Sequence, residues 1–244
     1  MATLSPQSAL EMVNEVAQNV GVRAVESVTA NDMSKLLLNM LNRAMQHAVM
    51  AYDWPQLTVS QSVSVNLDDT EYIPLPTDFL KIISRYIFVS DGKSSGNAYR
   101  KFTHCSPEES LNATYLTAKR TYNRFYVRRQ SIFLIPANVP SAETEGTLKF
   151  NYYYKSCLAA INGDDIERDT KKSLEIDTDQ TLLEPELLII GAIMFYKKFS
   201  GQPYDMAMQS YNERLKSLID GATLGNYNPD VVNEGHISES TLSA

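Results

Sequence analysis

The sequence predicts an α+β protein: a helical bundle core, made of two N-terminal and two C-terminal helices, carries an inserted antiparallel β module and a flexible C-terminal tail. Two changes of pattern predict this class. Apolar residues recur every three or four positions at both ends of the chain, whereas the middle alternates with a period of two. Residues 225–244 are polar and show no period, as expected of a segment without its own core.

The changes of period also set the expected domain boundaries. We assign residues 1–56 to the N-terminal helices, 57–160 to the β module, 161–224 to the C-terminal helices that complete the helical domain, and 225–244 to an extended tail. The longest apolar run, 187–196, is about half of the roughly 20 residues that a membrane span requires. We therefore expect a buried helix there and no membrane anchor.

Capping signals predict the two N-terminal helices. Ser5 followed by Pro6 predicts the start of the first helix, and Gly21 predicts its end. The segment 29–32, Thr-Ala-Asn-Asp, predicts a capping box at the start of the second helix, which ends before Pro55. The apolar stripe expected on this second helix consists of Met33, Leu36, Leu37, Met40, Leu41, Ala44, Ala48 and Ala51.

Two further helices are expected to close the fold. The first begins at Pro185 and breaks at 201–203, Gly-Gln-Pro, and the second ends at Gly221. The faces expected to be buried are Leu187, Ile190, Met194 and Phe199 on the first helix, and Met208, Tyr211, Leu215 and Leu218 on the second.

The middle of the chain has the pattern of short strands. Valines alternate with serines and threonines over 57–65, and an Asp-Asp turn leads to 72–76, so we expect an antiparallel hairpin. Pro74 and Pro76 lack backbone donors, which predicts an edge strand or a turn. Further strands are expected at 82–89, 125–127, 131–135 and 147–154.

Residues that could carry catalysis are sparse. The histidines are His47 within a helix, His104 next to Cys105, and His236 in the tail. Neighbouring residues on an extended segment point to opposite faces, so His104 and Cys105 do not form a catalytic pair. We expect no enzyme activity. Cys105 and Cys157 have no metal-type spacing and are expected to be free thiols.

Two other motifs fail on their spacing. The tripeptide 92–94, Gly-Lys-Ser, lacks the earlier glycine of a phosphate-binding loop and no helix pattern follows it. The acidic stretch 164–169 lacks the turn glycine of an EF-hand loop. We therefore expect neither a cofactor nor a metal ion.

The charges are unevenly distributed. The chain has a net charge of −7, which argues against general phosphate binding. Residues 93–129 nevertheless contain eight basic and two acidic residues, with tyrosines between them. This segment either pairs with the acidic surface of a neighbouring subunit or contacts the DNA backbone by charge and stacking. No helix-turn-helix or zinc finger accompanies it, so base-specific recognition is not expected.

Four segments in a fixed order carry a resemblance to a known family. A helix runs into Tyr-Asp-Trp-Pro-Gln-Leu over 36–57, and Tyr-Ile-Pro-Leu-Pro-Thr-Asp-Phe-Leu occupies 72–80. Residues 131–154 contain Ile-Phe-Leu-Ile-Pro before Gly-Thr-Leu-Lys-Phe-Asn-Tyr-Tyr-Tyr, and a proline-started apolar helix covers 182–195. In this order, the chain over 5–222 resembles the head-to-tail adaptors of tailed phages, also called connector, head-completion or tail tubular proteins.

The resemblance implies a non-enzymatic structural subunit. Such adaptors form a ring, usually dodecameric, that docks under the portal protein, connects head to tail, and lines or seals the DNA ejection channel. The implied partners are other copies of the chain, the portal, a tail nozzle or tail tube protein, and tail fibres, while DNA passes through the lumen without sequence-specific binding. The implied location is the head–tail junction of the virion, after synthesis in the host cytoplasm.

Three groups of residues are expected to carry this role. The tail residues expected to dock on the portal are Tyr227, Asn228, Pro229, Val231, Val232 and Ile237. Those expected to contact another subunit or the tail are Lys119, Arg120, Arg124, Arg128 and Arg129. Those expected at the junction of helical core and β module are Trp54, Pro55, Pro74 and Pro76. The alternative hypothesis is a nucleic-acid-associated protein that uses 93–129, which predicts salt-dependent DNA binding.

Overall fold

The computed structural model describes residues 7–66, 72–90, 99–106, 108, 123–135, 147–163 and 170–224. The chain forms two compact units. We call Met1–Leu57 with Cys157–Tyr227 the helical unit, and Thr58–Ser156 with Asn228–Ala244 the β unit. The fold is α+β, as the sequence predicts.

The described elements are as follows in chain order. The helices are α1 (Ala9–Asn19), α2 (Asp32–Ala51), α3 (Pro185–Phe199) and α4 (Asp205–Leu224), with a 3-10 turn at Pro55–Leu57. The strands are β1 (Thr58–Asn66), β2 (Ile73–Pro74), β3 (Phe79–Ile82), β4 (Tyr86–Ser90), β5 (Tyr99–His104), β6 (Arg124–Arg128), β7 (Ser131–Ile135), β8 (Thr147–Ser156), β9 (Ala160–Ile161), β10 (Thr170–Lys171) and β11 (Gln180–Thr181).

Helix α1 begins later than the Ser-Pro signal predicts. Its N-cap is Ser8, whose hydroxyl accepts a hydrogen bond from the Glu11 N–H, while the Glu11 carboxylate accepts one from the Ser8 N–H at 2.8 Å. This capping box provides acceptors for two backbone N–H groups at the start of the helix. Ser5 and Pro6 lie outside the described part of the chain. The predicted stop is confirmed, since Gly21 has a φ of +74°.

Helix α2 begins as predicted, but its apolar stripe is shorter. Asn31 is the N-cap and forms a capping box with Ser34, and the helix ends at Ala51 before Pro55. Met33 and Ala51, predicted to be buried, are exposed. They lie in the first and last turns, whereas the buried face runs from Ser34 to Val49.

Helix α3 packs against the other three described helices. The helices pack tightly at Gly191, where an added Cβ would lie 2.8 Å from the Ala44 Cβ and 2.9 Å from a ring carbon of Tyr211. Phe199 and Met208, predicted on buried faces, are 64% and 41% exposed; Phe199 is the last residue of α3 and Met208 lies in the first turn of α4, so both lie at helix ends. None of the described helices is long and apolar enough to cross a membrane.

The β unit contains a mixed sheet, so the prediction of a purely antiparallel module is wrong. The described strands follow the order β1-β8-β4-β5-β6-β7-β2, with β3 also paired to β8. The pair β5–β6 is parallel, through Thr103↔Arg124 and His104↔Phe125. One face of the sheet carries the core, which consists of Ile73, Leu75, Ile87, Phe102, Phe125, Ile132, Phe150, Tyr152 and Tyr154.

The predicted hairpin between β1 and the Tyr-Ile-Pro-Leu-Pro segment is wrong. Strand β1 pairs with β8 over its whole length, from Thr58↔Lys155 to Asn66↔Thr147. This register sets Val59 and Val63 of β1 against the aromatic core. Strand β2 pairs with β7 at the sheet edge, as Pro74 predicts, because a proline cannot donate to a long ladder.

Candidate interaction surfaces

Trp54 stabilises the C-terminal end of α2 in the helical unit. The side chain is 4% exposed, and its Nε1 donates a 2.7 Å hydrogen bond to the carbonyl oxygen of Ala48. That carbonyl belongs to the last turn of α2, where carbonyl groups commonly accept hydrogen bonds from outside the helix. The Tyr52 ring packs edge-on against the indole at 5.3 Å, and Pro55 opens the following 3-10 turn. Trp54 therefore caps α2.

Replacing Trp54 with phenylalanine is expected to lower the free energy of unfolding by about 1 to 3 kcal/mol. The ring is largely preserved, but the buried Ala48 carbonyl loses its donor. Urea unfolding followed by circular dichroism measures the change. Met50→Leu is the control. Met50 lies in the last turn of α2 and is 68% exposed, so its replacement should change the free energy of unfolding little. An unchanged midpoint for Trp54→Phe would contradict this role.

A polar loop anchors the start of α1, which the sequence analysis did not identify. The Asp177 Oδ1 accepts hydrogen bonds from the Val28 N–H at 2.7 Å and from the Ser27 hydroxyl at 3.1 Å. The carbonyl oxygens of Asp177 and Asp179 accept the first N–H groups of α1, at Leu10 and Ala9. These helix donors have no partner within α1, so the loop completes its first turn.

Asp179 is the buried centre of this loop. Its side chain is fully buried, and Oδ2 accepts hydrogen bonds from the N–H groups of Glu175 at 2.5 Å and Ile176 at 2.9 Å. Oδ1 forms an ion pair with the Lys171 ammonium at 2.6 Å. The two hydrogen bonds at Oδ2 and the ion pair at Oδ1 stabilise a buried carboxylate and hold the loop, which is a structural role. Only its place in the fold distinguishes this aspartate from the exposed ones.

Two asparagines on helices each form a pair of hydrogen bonds with the backbone of another segment. The Asn42 amide donates to the Leu174 carbonyl at 2.9 Å and accepts from the Leu174 N–H at 2.8 Å. Asn14 binds both backbone groups of Val25 in the same way, at 3.1 and 2.7 Å. Asn42 and Asn14 interrupt otherwise apolar helix patterns, which is the one sequence signal that could have predicted them.

His47 has a structural partner. Its Nδ1 lies 3.0 Å from the Tyr211 hydroxyl, and its ring packs edge-on against Phe195. Burial raises the pKa of Tyr211 to about 12, so this phenol stays protonated well into the alkaline range. Arg214 on the same helix pairs with Glu184 and Glu186. These contacts attach α4 to α2 and α3.

Large apolar side chains are exposed beside the α3–α4 turn. Phe199 is 64% exposed, Met206 77% and Met208 41%. We call these three residues the turn patch. Exposed large apolar residues that lie near one another in a folded protein are typical of surfaces that another protein covers.

The outer face of the β unit combines aromatic rings and cations. The Lys101 ammonium lies 3.5 Å from the centre of the Tyr86 ring. The rings of Tyr126 and Phe133 are stacked, with their centroids 5.2 Å apart and an angle of 13° between their planes. The centroid of the Tyr72 ring lies 6.1 Å from that of Phe133. These aromatic rings therefore already have partners within the chain.

The basic residues predicted to make contacts are only partly within the described chain. Arg124 is half-buried in β6, whereas Arg128 and Arg129 are exposed where β6 turns into β7. Lys119 and Arg120 lie outside the described residues. So do the predicted portal-docking residues Tyr227, Asn228, Pro229, Val231, Val232 and Ile237. Of the five basic residues predicted to make contacts, the structure thus places two, Arg128 and Arg129, next to each other on the surface.

Within the described residues, no three His, Cys, Asp or Glu side chains are grouped as metal ligands would be. The segments 92–94 and 164–169, considered above for nucleotide and calcium, lie outside those residues. Cys105 is buried and Cys157 half-buried, and neither forms a disulfide bond.

A comparison with known protein families identifies the family of this chain. A family model described as SU10 adaptor protein matches residues 7–233. The chain belongs to this family. The SU10 adaptor proteins are phage head-to-tail adaptors, so the resemblance found in the sequence is confirmed. A search of curated proteins gives no match.

Membership of the SU10 adaptor family has direct consequences for this chain. It is a structural protein of the phage virion, from a family of adaptors that is not known for enzymes. Adaptors of this kind interact with the portal and the tail. The surfaces described above are therefore candidates for contacts with proteins.

Proposed function

We propose that this adaptor forms a ring of identical copies below the portal, usually dodecameric in such proteins, and connects head to tail. The ring lines or seals the channel through which DNA passes without sequence-specific binding. The observation that carries the proposal is the family match over 7–233, nearly the whole chain. The net charge of −7 supports it, because an acidic or neutral channel wall lets DNA pass without binding it.

The turn patch supports a contact between copies. Burying Phe199 and Met206 against a neighbouring subunit would remove apolar surface from water, which favours association by roughly 25 cal/mol per Å². For docking on the portal we propose the tail, residues 225–244. Trp54 and Pro55, with Pro74 and Pro76, are proposed to stiffen the chain where the helical core and the β module join.

The mass of the purified chain, with and without the portal protein of the same phage, tests the proposal. Native mass spectrometry or light scattering should find a large discrete ring, either alone or on the portal. A chain that stays strictly monomeric, ignores the portal and binds DNA in a salt-dependent way would contradict the proposal and favour the nucleic-acid hypothesis.

Replacing Phe199 and Met206 together with serine is expected to weaken ring formation at least about tenfold, because both side chains lose apolar contact area. The monomer should keep its circular dichroism and melting temperature, since both residues are exposed. The control is Met33→Ser with Ile176→Ser, two apolar residues that are each 37% exposed in the helical unit. Equal assembly of both double variants would exclude the turn patch from the ring contact.

A further inference from the structure

The turn between β6 and β7 has an unusual backbone for its sequence. Arg128 pairs with Ser131, so Arg129 and Gln130 form a two-residue turn. Their φ angles are +50° and +53°, the left-handed region that a type I′ turn requires. Asn-Gly is the preferred sequence for such a turn, because glycine has no Cβ and asparagine tolerates the left-handed region, where the Cβ of most other residues lies too close to the backbone carbonyl. We call Arg128, Arg129 and Gln130 the hairpin tip.

The hairpin tip presents two exposed cations. Arg128 and Arg129 are exposed, and within the described part of the chain neither forms an ion pair. The Gln130 carbonyl accepts a 3.0 Å hydrogen bond from the Leu75 N–H, which holds the turn in place. Two adjacent guanidinium groups on a fixed turn are suited to bind carboxylates or phosphates through paired hydrogen bonds.

The surroundings of the hairpin tip favour carboxylates of a protein over nucleic acid. Single-stranded nucleic acids bind where basic residues lie beside aromatic faces that are free to stack on bases. Here Tyr126 and Phe133 stack on each other, and Lys101 covers the Tyr86 ring. The net charge of −7 further opposes the approach of DNA.

The helical unit of this same chain has the complementary charge. Its segments, 1–57 and 157–227, contain 17 acidic and 10 basic residues, a net charge of −7. The β unit contains 12 basic and 12 acidic residues; its segment 58–156, which includes the hairpin tip, has all 12 basic and 9 of the acidic residues, a net charge of +3. In a ring, each copy offers one surface to the copy before it and a different surface to the copy after it. A basic hairpin and an acidic helical unit meet that requirement.

We propose that the hairpin tip binds carboxylates on the helical unit of a second copy of this chain, as one contact of the ring. This inference rests on the proposed ring and names a contact that holds it together. The strained turn is then explained by binding, because Arg129 places a cation where Asn-Gly would give a more relaxed backbone.

Charge reversal tests the hairpin tip. Arg128→Glu with Arg129→Glu is expected to raise at least tenfold the protein concentration at which rings form on the portal, and to increase the salt sensitivity of those that remain. The control is Arg23→Glu with Lys35→Glu, which changes the net charge equally on exposed residues of the acidic helical unit. Equal weakening by both variants would mean that only net charge matters, and would overturn the inference.

A second variant separates binding from folding. Arg129→Asn with Gln130→Gly introduces the preferred turn sequence, so the melting temperature should equal or exceed that of the wild type while ring formation weakens. Normal rings from this variant and from the charge-reversed one would overturn the inference and leave the proposed ring intact. A wild-type chain that forms no ring under any condition would instead contradict the proposed function itself.

Cross-linking identifies the partner. A photoreactive benzoylphenylalanine in place of Gln130 leaves both arginines of the hairpin tip intact. In an equal mixture of isotope-labelled and unlabelled chains, it should yield cross-links between different copies, to peptides of the helical unit. Cross-links only to β-unit peptides or to the portal would overturn the assignment of the partner. Cross-links to added DNA, with normal rings, would show that the hairpin tip binds nucleic acid instead.

Discussion

Replacing Asp179 with alanine is expected to lower the free energy of unfolding by about 3 to 5 kcal/mol. The carboxylate is fully buried, and its loss leaves the N–H groups of Glu175 and Ile176 without an acceptor. The Lys171 ammonium also loses its ion-pair partner. Urea unfolding followed by Trp54 fluorescence measures this change, because Trp54 is the single tryptophan and is buried in the helical unit.

Two variants define what the Asp179 result means. Asp179→Asn keeps an oxygen acceptor for the two N–H groups and removes only the charge, so it should cost less than alanine, about 1 to 3 kcal/mol. Asp220→Ala is the control for a lost carboxylate, since Asp220 is exposed on α4 and its removal should change stability by about 0.5 kcal/mol or less. An alanine variant at position 179 that is as stable as the control would show that the loop does not need its carboxylate.

Valine in place of Gly191 is expected to lower the free energy of unfolding by about 3 kcal/mol. The Cβ alone would approach the Ala44 Cβ to 2.8 Å and the Tyr211 ring to 2.9 Å, and the two γ-methyl groups add further volume. Because α2, α3 and α4 meet at this point, the helices must separate to accept them. The same fluorescence-detected unfolding measures the effect.

Gly221→Ala is the matched glycine control. Gly221 also lies in a helix, α4, but an added Cβ there meets no atom within 4 Å. Alanine has a higher helix propensity than glycine, so this variant should be more stable than the wild type by about 0.5 to 1 kcal/mol. Shifts of the same sign and size at positions 191 and 221 would contradict a tight helix contact at Gly191.

Sequence reasoning succeeded where the signal is local. Asn31 caps α2 and Pro55 follows its end, so both boundaries could be predicted from neighbouring residues. The strand at Ser131–Ile135 has its predicted bounds, and Pro74 correctly indicates an edge strand. In each case a side chain acts on its own backbone or on residues a few positions away.

Sequence reasoning failed where distant segments decide the outcome. The alternating valines of β1 predict a strand but not its partner, and the nearby β2 was a wrong choice. The buried role of Asp179 was missed, because an acidic residue in a polar loop has the same local pattern whether it is exposed or enclosed. The sequence predicts the basic contact residues as one group, whereas in the structure Arg124 is half-buried and Arg128 and Arg129 share an exposed turn.

The sequence by itself determined the α+β class, the principal helices and the adaptor family, since these depend on periodicity, caps and the order of short motifs along the chain. Only the tertiary structure decided that β1 pairs with β8, that Asp179 is enclosed, that the turn patch is exposed, and that Arg129 adopts a left-handed backbone. The physical reason is that strand pairing and burial depend on which distant segments pack together, whereas periods and caps depend on neighbours in the chain.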